Sequence, residues 1–145
     1  MKISHLSVGL RTVYTGARIG LSRSLSVDLV QENSDRMRID NIPFTVTDWS
    51  DVQPQTYPGD SGHAVWRTRH FGDIRVRVVD YSPGYKADHW CGKGHIIFCL
   101  EGSMTTYLKD GRCLPLVAGQ SYQVADGDGE HRSQTETGAR LFIVD

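Results

Sequence analysis

The sequence predicts an all-β domain with an antiparallel sandwich or barrel architecture, and three observations support that fold class. From Met37 onward, short strand-like runs are separated by breaks rich in Gly, Pro and Asp. This part of the sequence contains no long run with the apolar spacing of an amphipathic helix. The dipeptide Asp110-Gly111 is a strong signal for a tight hairpin turn.

The first strands are predicted up to residue 81. Residues 44–49 alternate between apolar and polar side chains and are predicted to form a strand. Residues 50–62 are rich in Pro and Gly and are predicted to form a loop. Residues 63–71 and 74–81 are predicted to be the next two strands, joined by a turn.

The second half of the chain is predicted to contain the remaining strands. Residues 86–91 and 95–100 are predicted to pair around the tripeptide Gly92-Lys93-Gly94, and residues 101–103 to form a turn. The other predicted strands, which bring the total to some nine, are residues 104–108, 112–116, 121–125 and 140–144.

Composition limits the class of protein. The chain has 145 residues, 39% of them hydrophobic, and a formal net charge of −1, which fits one ordinary domain. This charge gives no support to a nucleic-acid-binding surface, and no apolar run is long enough to cross a membrane. We therefore expect a small-molecule ligand or substrate. Three cysteines at uneven spacings do not suggest a disulfide framework, so we expect a reducing, cytoplasmic location.

The first 36 residues differ from the rest. Four basic residues and five serines precede the first acidic residue, Asp28. Residues 1–36 are either a targeting segment or a dispensable extension that is disordered or weakly helical, and we favour the extension. Residues 37–145 are then predicted to form a single domain.

A cluster of metal-ligating residue types lies near the middle of the chain. His89 and Cys91 are two residues apart, so on a strand both side chains would leave the same face. His95 follows the glycine-containing tripeptide, whose tight reversal could bring a third ligand back beside the first two. This clustering predicts a metal site.

The same residues resemble a known family. Gly84, His89, Cys91, His95 and Gly102 stand in the order of the first motif of the cupin superfamily, with cysteine replacing the second histidine and histidine replacing the glutamate. A looser match to the second motif comprises Gly119, Ala125, Gly127 and His131. Residues 88–91 resemble the signature of small single-domain cupins named after a DHCW motif, with the last two letters interchanged.

The resemblance implies specific expectations. Residues 37–145 would form a jelly-roll barrel, also called a double-stranded β-helix, and would hold a metal ion. The implied ligands are His89, Cys91, His95 and His131. The biochemical role of the family is undefined, so the resemblance does not imply a reaction.

The ligand chemistry restricts the metal. Imidazole and thiolate suit Zn²⁺, Fe²⁺, Ni²⁺ or copper better than Mg²⁺ or Ca²⁺, and a thiolate favours zinc. If all four side chains bind, the site is closed by protein ligands, as in structural zinc sites. If Cys91 turns away, three histidines leave open positions. The sequence leaves both alternatives open.

Other polar side chains could contact a substrate. Arg75 and Arg77 share one strand face and either clamp a carboxylate or face solvent; we favour solvent, because Val76 and Val78 offer the obvious core side. Glu130 is a candidate general base. The further candidates are Tyr107, Tyr122, Gln123 and Arg132. Asp88 and Trp90 are expected to support the ligands or to pack, and Cys99 is expected in the core.

Three functions are compatible with these predictions. The first is a metal-dependent enzyme of the oxygenase, isomerase or lyase class that acts on a small polar molecule. The second is a non-catalytic cupin that binds or senses a metal or small ligand. The third is a structural domain with a degenerate site that works by dimerisation. We expect a homodimer, because an exposed first strand at residues 44–49 has an edge to protect.

Overall fold

Eight antiparallel strands make up the part of the chain that the computed structural model describes, residues 39–145. The predicted N-terminal extension, residues 1–36, lies outside the described residues. No helix within residues 39–145 is long and apolar enough to span a membrane. The strands are β1 (Gln55–Pro58), β2 (His63–Phe71), β3 (Ile74–Tyr81), β4 (His95–Leu108), β5 (Cys113–Val117), β6 (Ser121–Val124), β7 (His131–Gln134) and β8 (Ala139–Val144).

The strands form an antiparallel jelly-roll barrel, and the prediction of this fold class is confirmed. Their order along the sheet is β1-β2-β3-β8-β4-β5. Strand β4 organises the barrel because neighbours pair with it on both sides along its length. Its first half pairs with β6 and β8, and its second half pairs with β5 and β7.

Strand β4 bends where a turn was predicted. The prediction of a turn at residues 101–103 is wrong, because the strand continues through them with a β-bulge between Cys99 and Glu101. Gly102 adopts a positive φ of 73°, and a Cβ there would lie 2.3 Å from the carbonyl oxygen of Gly138. The bend therefore requires glycine, which lets one strand serve both halves of the barrel.

The core lies between the inward faces of the strands. Alternate residues of β3, β4 and β8 point inward, among them Val79, Ile97 and Leu141, which are almost fully buried. Cys99 is also fully buried, so the prediction that it belongs to the core is confirmed. The other members of the core cluster are Ala64, Tyr85, Met104, Leu116, Ala139 and Ile143.

Of the three strands predicted before residue 82, two are confirmed and one is wrong. The predicted strands at residues 63–71 and 74–81 coincide with β2 and β3. Residues 44–49 are irregular, and the prediction of a strand there is wrong. None of the strands within residues 39–145 pairs with this segment, and the chain turns at Trp49, whose ring packs edge-on against Phe142 at 6.1 Å.

The predicted pairing of residues 86–91 with 95–100 is also wrong. Residues 86–91 form only isolated bridges among the described residues, in which Lys86 pairs with Ser61 and Gln134, and Cys91 pairs with His131. His95 instead pairs with Val124 of β6. Two short strands escaped prediction: β1 lies inside the predicted loop 50–62, and β7 begins at His131.

Candidate metal centre

Three of the four predicted ligands meet inside the barrel. The ligand atoms of Cys91, His95 and His131 all lie within 4.8 Å of one another. Two imidazoles and a thiol form a donor set that transition metals take, with zinc favoured by the sulfur ligand. The residues present therefore fit a divalent transition metal and do not fit a hard cation such as Mg²⁺.

The backbone brings Cys91 and His131 together. The N–H of Cys91 donates to the carbonyl oxygen of His131 at 2.7 Å, and the N–H of His131 donates back to Cys91 at 3.0 Å. Residues paired by two such bonds in an antiparallel ladder lie opposite each other and project on the same face. The thiol and the imidazole are therefore neighbours, although 40 positions separate them in the sequence.

The imidazole of His131 is oriented for ligation. The side chain is buried, and Nδ1 lies 3.0 Å from the carbonyl oxygen of Gly129. A carbonyl accepts only, so Nδ1 carries the proton and donates it, which leaves the lone pair of Nε2 for a metal. Nε2 lies 2.8 Å from Nε2 of His95, so both ring nitrogens face the same point.

His95 is held neutral at physiological pH. Burial, and to a smaller extent the neighbouring His131, lower the pKa of its imidazole to about 4. A neutral imidazole keeps a lone pair for a metal without first losing a proton. The hydroxyl of Tyr122 lies 3.4 Å from Nε2 of His95, at the edge of hydrogen-bonding range.

His89 lies apart from the other three candidates. Its side chain is 72% exposed, and its Nδ1 lies 2.6 Å from Oδ1 of Asp88. That hydrogen bond is the main cause of a lowered pKa at Asp88. His89 borders the same cavity as the cluster but is outside the group of converging ligand atoms.

A cavity of about 400 Å³ opens beside the cluster. This volume falls within the range of small-molecule sites, which are mostly apolar with a few placed polar groups. Its aromatic and aliphatic lining includes Trp66, Tyr81, Tyr85, Tyr122, Ile97 and Ile143. The three converging side chains lie in its wall, so a bound ion would face a space large enough for a small substrate.

Arg77 contributes to that wall, and the prediction that it faces solvent is wrong. It pairs with Ile143 in the barrel interior, and its side chain is 7% exposed. Val78, on the opposite face of β3, is also buried, and its partner Phe142 is covered by Trp49. Both faces of β3 are therefore covered, and polarity alone could not identify the inner face.

Asp145 forms ion pairs with both Arg75 and Arg77 and offsets part of their charge. Its carboxylate accepts hydrogen bonds from Arg75 at 2.9 and 2.6 Å and from Arg77 at 2.6 Å. Burial would raise the pKa of Asp145, but the hydrogen bonds and charges of the two arginines together hold it below its usual range. Asp145 was not among the residues predicted from the sequence, although it continues the inward alternation of Leu141 and Ile143.

Of the remaining polar candidates, three lie away from the cavity and one borders it. Glu130 is exposed and forms an ion pair with Lys109. Gln123 is exposed and bonds to Ser121, and Tyr107 borders a different depression. Arg132 does border the cavity and stacks over the ring of Trp90 at 4.8 Å.

Comparisons with known proteins bear on the fold. No protein-family model and no curated protein matches the sequence. Among solved structures, the polyketide cyclase RemF from Streptomyces resistomycificus has a TM-score of 0.60 and 21% identity, over 70% of this chain and 78% of its own. A predicted oxalate decarboxylase from Thermotoga maritima has a TM-score of 0.59 and 17% identity, over 69% and 96% of the two chains.

A third match carries the superfamily name. A sugar phosphate isomerase from a cupin superfamily, from Silicibacter pomeroyi, has a TM-score of 0.54 and 18% identity, over 69% of this chain and 74% of its own. At such identities the likeness concerns architecture and not activity. The described domain therefore has the cupin fold, as the sequence resemblance implied.

Proposed function

We propose that this domain is a metal-dependent enzyme that holds a divalent transition metal with Cys91, His95 and His131 and acts on a small polar molecule. One observation carries the proposal: three converging ligand atoms lie in the wall of a cavity of about 400 Å³. Structural zinc sites use four protein ligands, whereas catalytic sites use three and keep a position open. An open position beside a substrate-sized space fits the catalytic pattern.

The donor set favours chemistry without a change of oxidation state. Zinc, which the thiolate favours, supplies Lewis acidity to a coordinated oxygen and has no redox chemistry. Burial raises the pKa of Tyr122, so its hydroxyl stays protonated and can donate toward a bound molecule near His95. We therefore favour an isomerase or lyase over an oxygenase, which would need iron or copper.

The position of His89 determines whether the site is open, with three protein ligands, or closed, with four. To become a fourth protein ligand, His89 would have to leave Asp88 and turn inward. A closed set of four would fit the non-catalytic binding or sensing alternative. The ligand role predicted for His89 stays a prediction, and the experiment below separates the two cases.

Cobalt substitution tests the proposal. The Co²⁺-loaded protein should contain about one ion per chain and show a thiolate-to-metal charge-transfer band that Cys91→Ser removes. Azide should change the visible spectrum, because it enters the open position. A spectrum that azide leaves unchanged would indicate the closed, non-catalytic site, and failure to load cobalt or zinc would indicate a degenerate one.

We also propose that the protein is a homodimer that pairs through the outer face of β4. Ile96, Phe98 and Leu100 lie on this face and are 49%, 39% and 41% exposed. Three neighbouring apolar side chains on one strand form a patch of the kind that subunit interfaces bury. The edge at residues 44–49, on which the sequence prediction relied, is not a strand and gives no support.

Light scattering after size exclusion tests the dimer. At about 50 µM, in the range where modest interfaces associate, the native chain should have the mass of a dimer and Phe98→Glu that of a monomer. Leu114→Glu is the matched control, since Leu114 is 43% exposed on β5, and it should remain dimeric. A monomeric native chain would contradict the proposal.

We further propose a cytoplasmic location. Cys91, Cys99 and Cys113 are all free, and a thiol can ligate a metal only while it stays reduced. A reducing compartment would preserve Cys91. Cell fractionation that found the protein outside the cytoplasm would refute this.

A further inference from the structure

Three residues that border the cavity beside the metal cluster carry buried hydrogen-bond donors that have no partner. Among the described residues, four buried side-chain polar atoms lack one, and three belong to residues that border this cavity: Nε1 of Trp66, Nε of Arg77 and Nε of Arg132. All three are N–H donors. Buried donors are normally satisfied, so three unpaired donors on residues around one cavity call for an explanation.

Arg77 is the most deeply buried of the charged residues in this group. Its guanidinium has five N–H donors, and the hydrogen bond described for it is the one from Nη2 to Asp145. One face of the guanidinium lies over the ring of Trp66, with the central carbon 4.4 Å from the ring centroid. The aromatic ring and the ion pair fix the plane of the guanidinium, which prepares it to receive a planar acceptor.

The charge of the cavity agrees with an anionic ligand. The charged side chains in its lining are one carboxylate, Asp145, and four cationic groups, Arg75, Arg77, Lys93 and Arg132. Asp145 accepts from both Arg75 and Arg77, so one carboxylate offsets two guanidinium groups. An acidic ligand would offset the remaining positive charge, whereas a cationic ligand would be repelled.

The apolar lining restricts the rest of the ligand. Trp66, Tyr81, Tyr85 and Ile97 surround the space next to Arg77 and the metal cluster. Such walls suit an apolar or aromatic body better than a heavily hydroxylated one. The edge of one guanidinium can hold a carboxylate or a phosphate with two parallel hydrogen bonds. A carboxylate has only those two oxygens, whereas a phosphate would leave further charged oxygens against the apolar walls, which is unfavourable.

We propose that Arg77, backed by Trp66, forms an anion subsite that binds the carboxylate of a small organic acid with an apolar body. The inference rests on the proposed function, in which this cavity receives the substrate, and it names the substrate class. The carboxylate accepts hydrogen bonds from the guanidinium of Arg77, and the apolar body lies against the aromatic wall. Arg77 is a binding residue in this scheme, separate from the metal ligands.

Calorimetric titration with benzoate and benzamide tests the subsite, because the two probes have nearly the same shape and differ in charge. The native zinc-loaded protein should bind benzoate about tenfold more tightly than benzamide or better, in line with the net contribution of a hydrogen bond to a charged group. Arg77→Met should abolish this preference while the metal content stays unchanged. Inorganic phosphate should compete poorly; stronger competition by phosphate than by benzoate would overturn the carboxylate assignment.

Two further variants test the subsite: one should tighten benzoate binding and the other should leave it unchanged. Asp145→Asn frees the guanidinium and should tighten benzoate binding while leaving benzamide unchanged, which decides the matter even if Arg77→Met does not fold. Arg67→Met removes a comparable pair, Arg67 with Asp80 at 2.8 Å, on the outer face of the sheet and should have no effect. Unaltered benzoate preference in a folded Arg77→Met, or weaker benzoate binding in Asp145→Asn, would overturn the subsite.

The metal content of each sample separates this inference from the proposed function. If the metal is bound but Arg77 does not affect benzoate preference, the subsite fails and the metal proposal stands. If no metal binds but the native protein still prefers benzoate through Arg77, the subsite stands and the metal proposal fails.

Discussion

Replacing His95 or His131 with alanine is expected to remove the metal from the protein. Each imidazole supplies one of three converging ligand atoms, and a site left with two protein ligands cannot compete with a chelator for a divalent ion. Elemental analysis after dialysis against a weak chelator should give about one ion per native chain and less than about 0.1 in either variant.

Two other histidines serve as controls for this experiment. His70→Ala changes an exposed histidine on β2 and should leave the metal content unchanged. His89→Ala should retain the ion, because its side chain lies outside the cluster and is bonded to Asp88. Loss of the ion from His89→Ala would show that His89 completes the set, and full retention in His95→Ala would refute the ligand assignment.

Alanine at Gly102 is expected to destabilise the fold by ~3–4 kcal/mol, a loss found where backbone strain and a steric clash combine. The residue has a φ of 73°, and an added Cβ would lie 2.3 Å from the carbonyl oxygen of Gly138. The backbone cannot yield easily there, because the neighbouring residues of β4 pair with β8 and β5. Urea denaturation should show a lower midpoint with an unchanged slope.

Gly119→Ala measures the cost of backbone strain without a steric clash. Gly119 also has a positive φ, 87°, but an added Cβ would meet no atom within 4 Å. Its alanine variant should therefore lose only ~1 kcal/mol, the usual cost of a positive φ in a residue with a side chain. Equal losses at Gly102 and Gly119 would mean that the contact with Gly138 is unimportant.

Strands β2 and β3 were predictable because the signals that mark them are local. The alternation of apolar residues and the turn between them located both strands. Prediction failed where pairing partners come from distant parts of the chain. Residues 44–49 alternate like a strand but pair with no strand in the described part of the chain. Strand β7 is short and becomes a strand by pairing with the far end of β4.

The site was also predicted only in part, because the spacing of residues shows which ligand types are close in sequence but not whether they lie on a strand. Spacing pointed to Cys91 and His95, and the resemblance pointed to His131; the structure brings these three together. The same spacing suggested His89, but residues 86–91 do not form a strand, so the rule that places alternate side chains on one face does not apply there.

By itself, the sequence determined the fold class and the chemistry of the ligands, because hydrophobic alternation, turn residues and the types of side chain are local properties. Only the tertiary structure decided which ligands converge and which face of β3 points inward. Those depend on contacts between residues far apart in the chain, such as the backbone pair of Cys91 with His131 and the burial of Arg77 against Trp66 and Asp145.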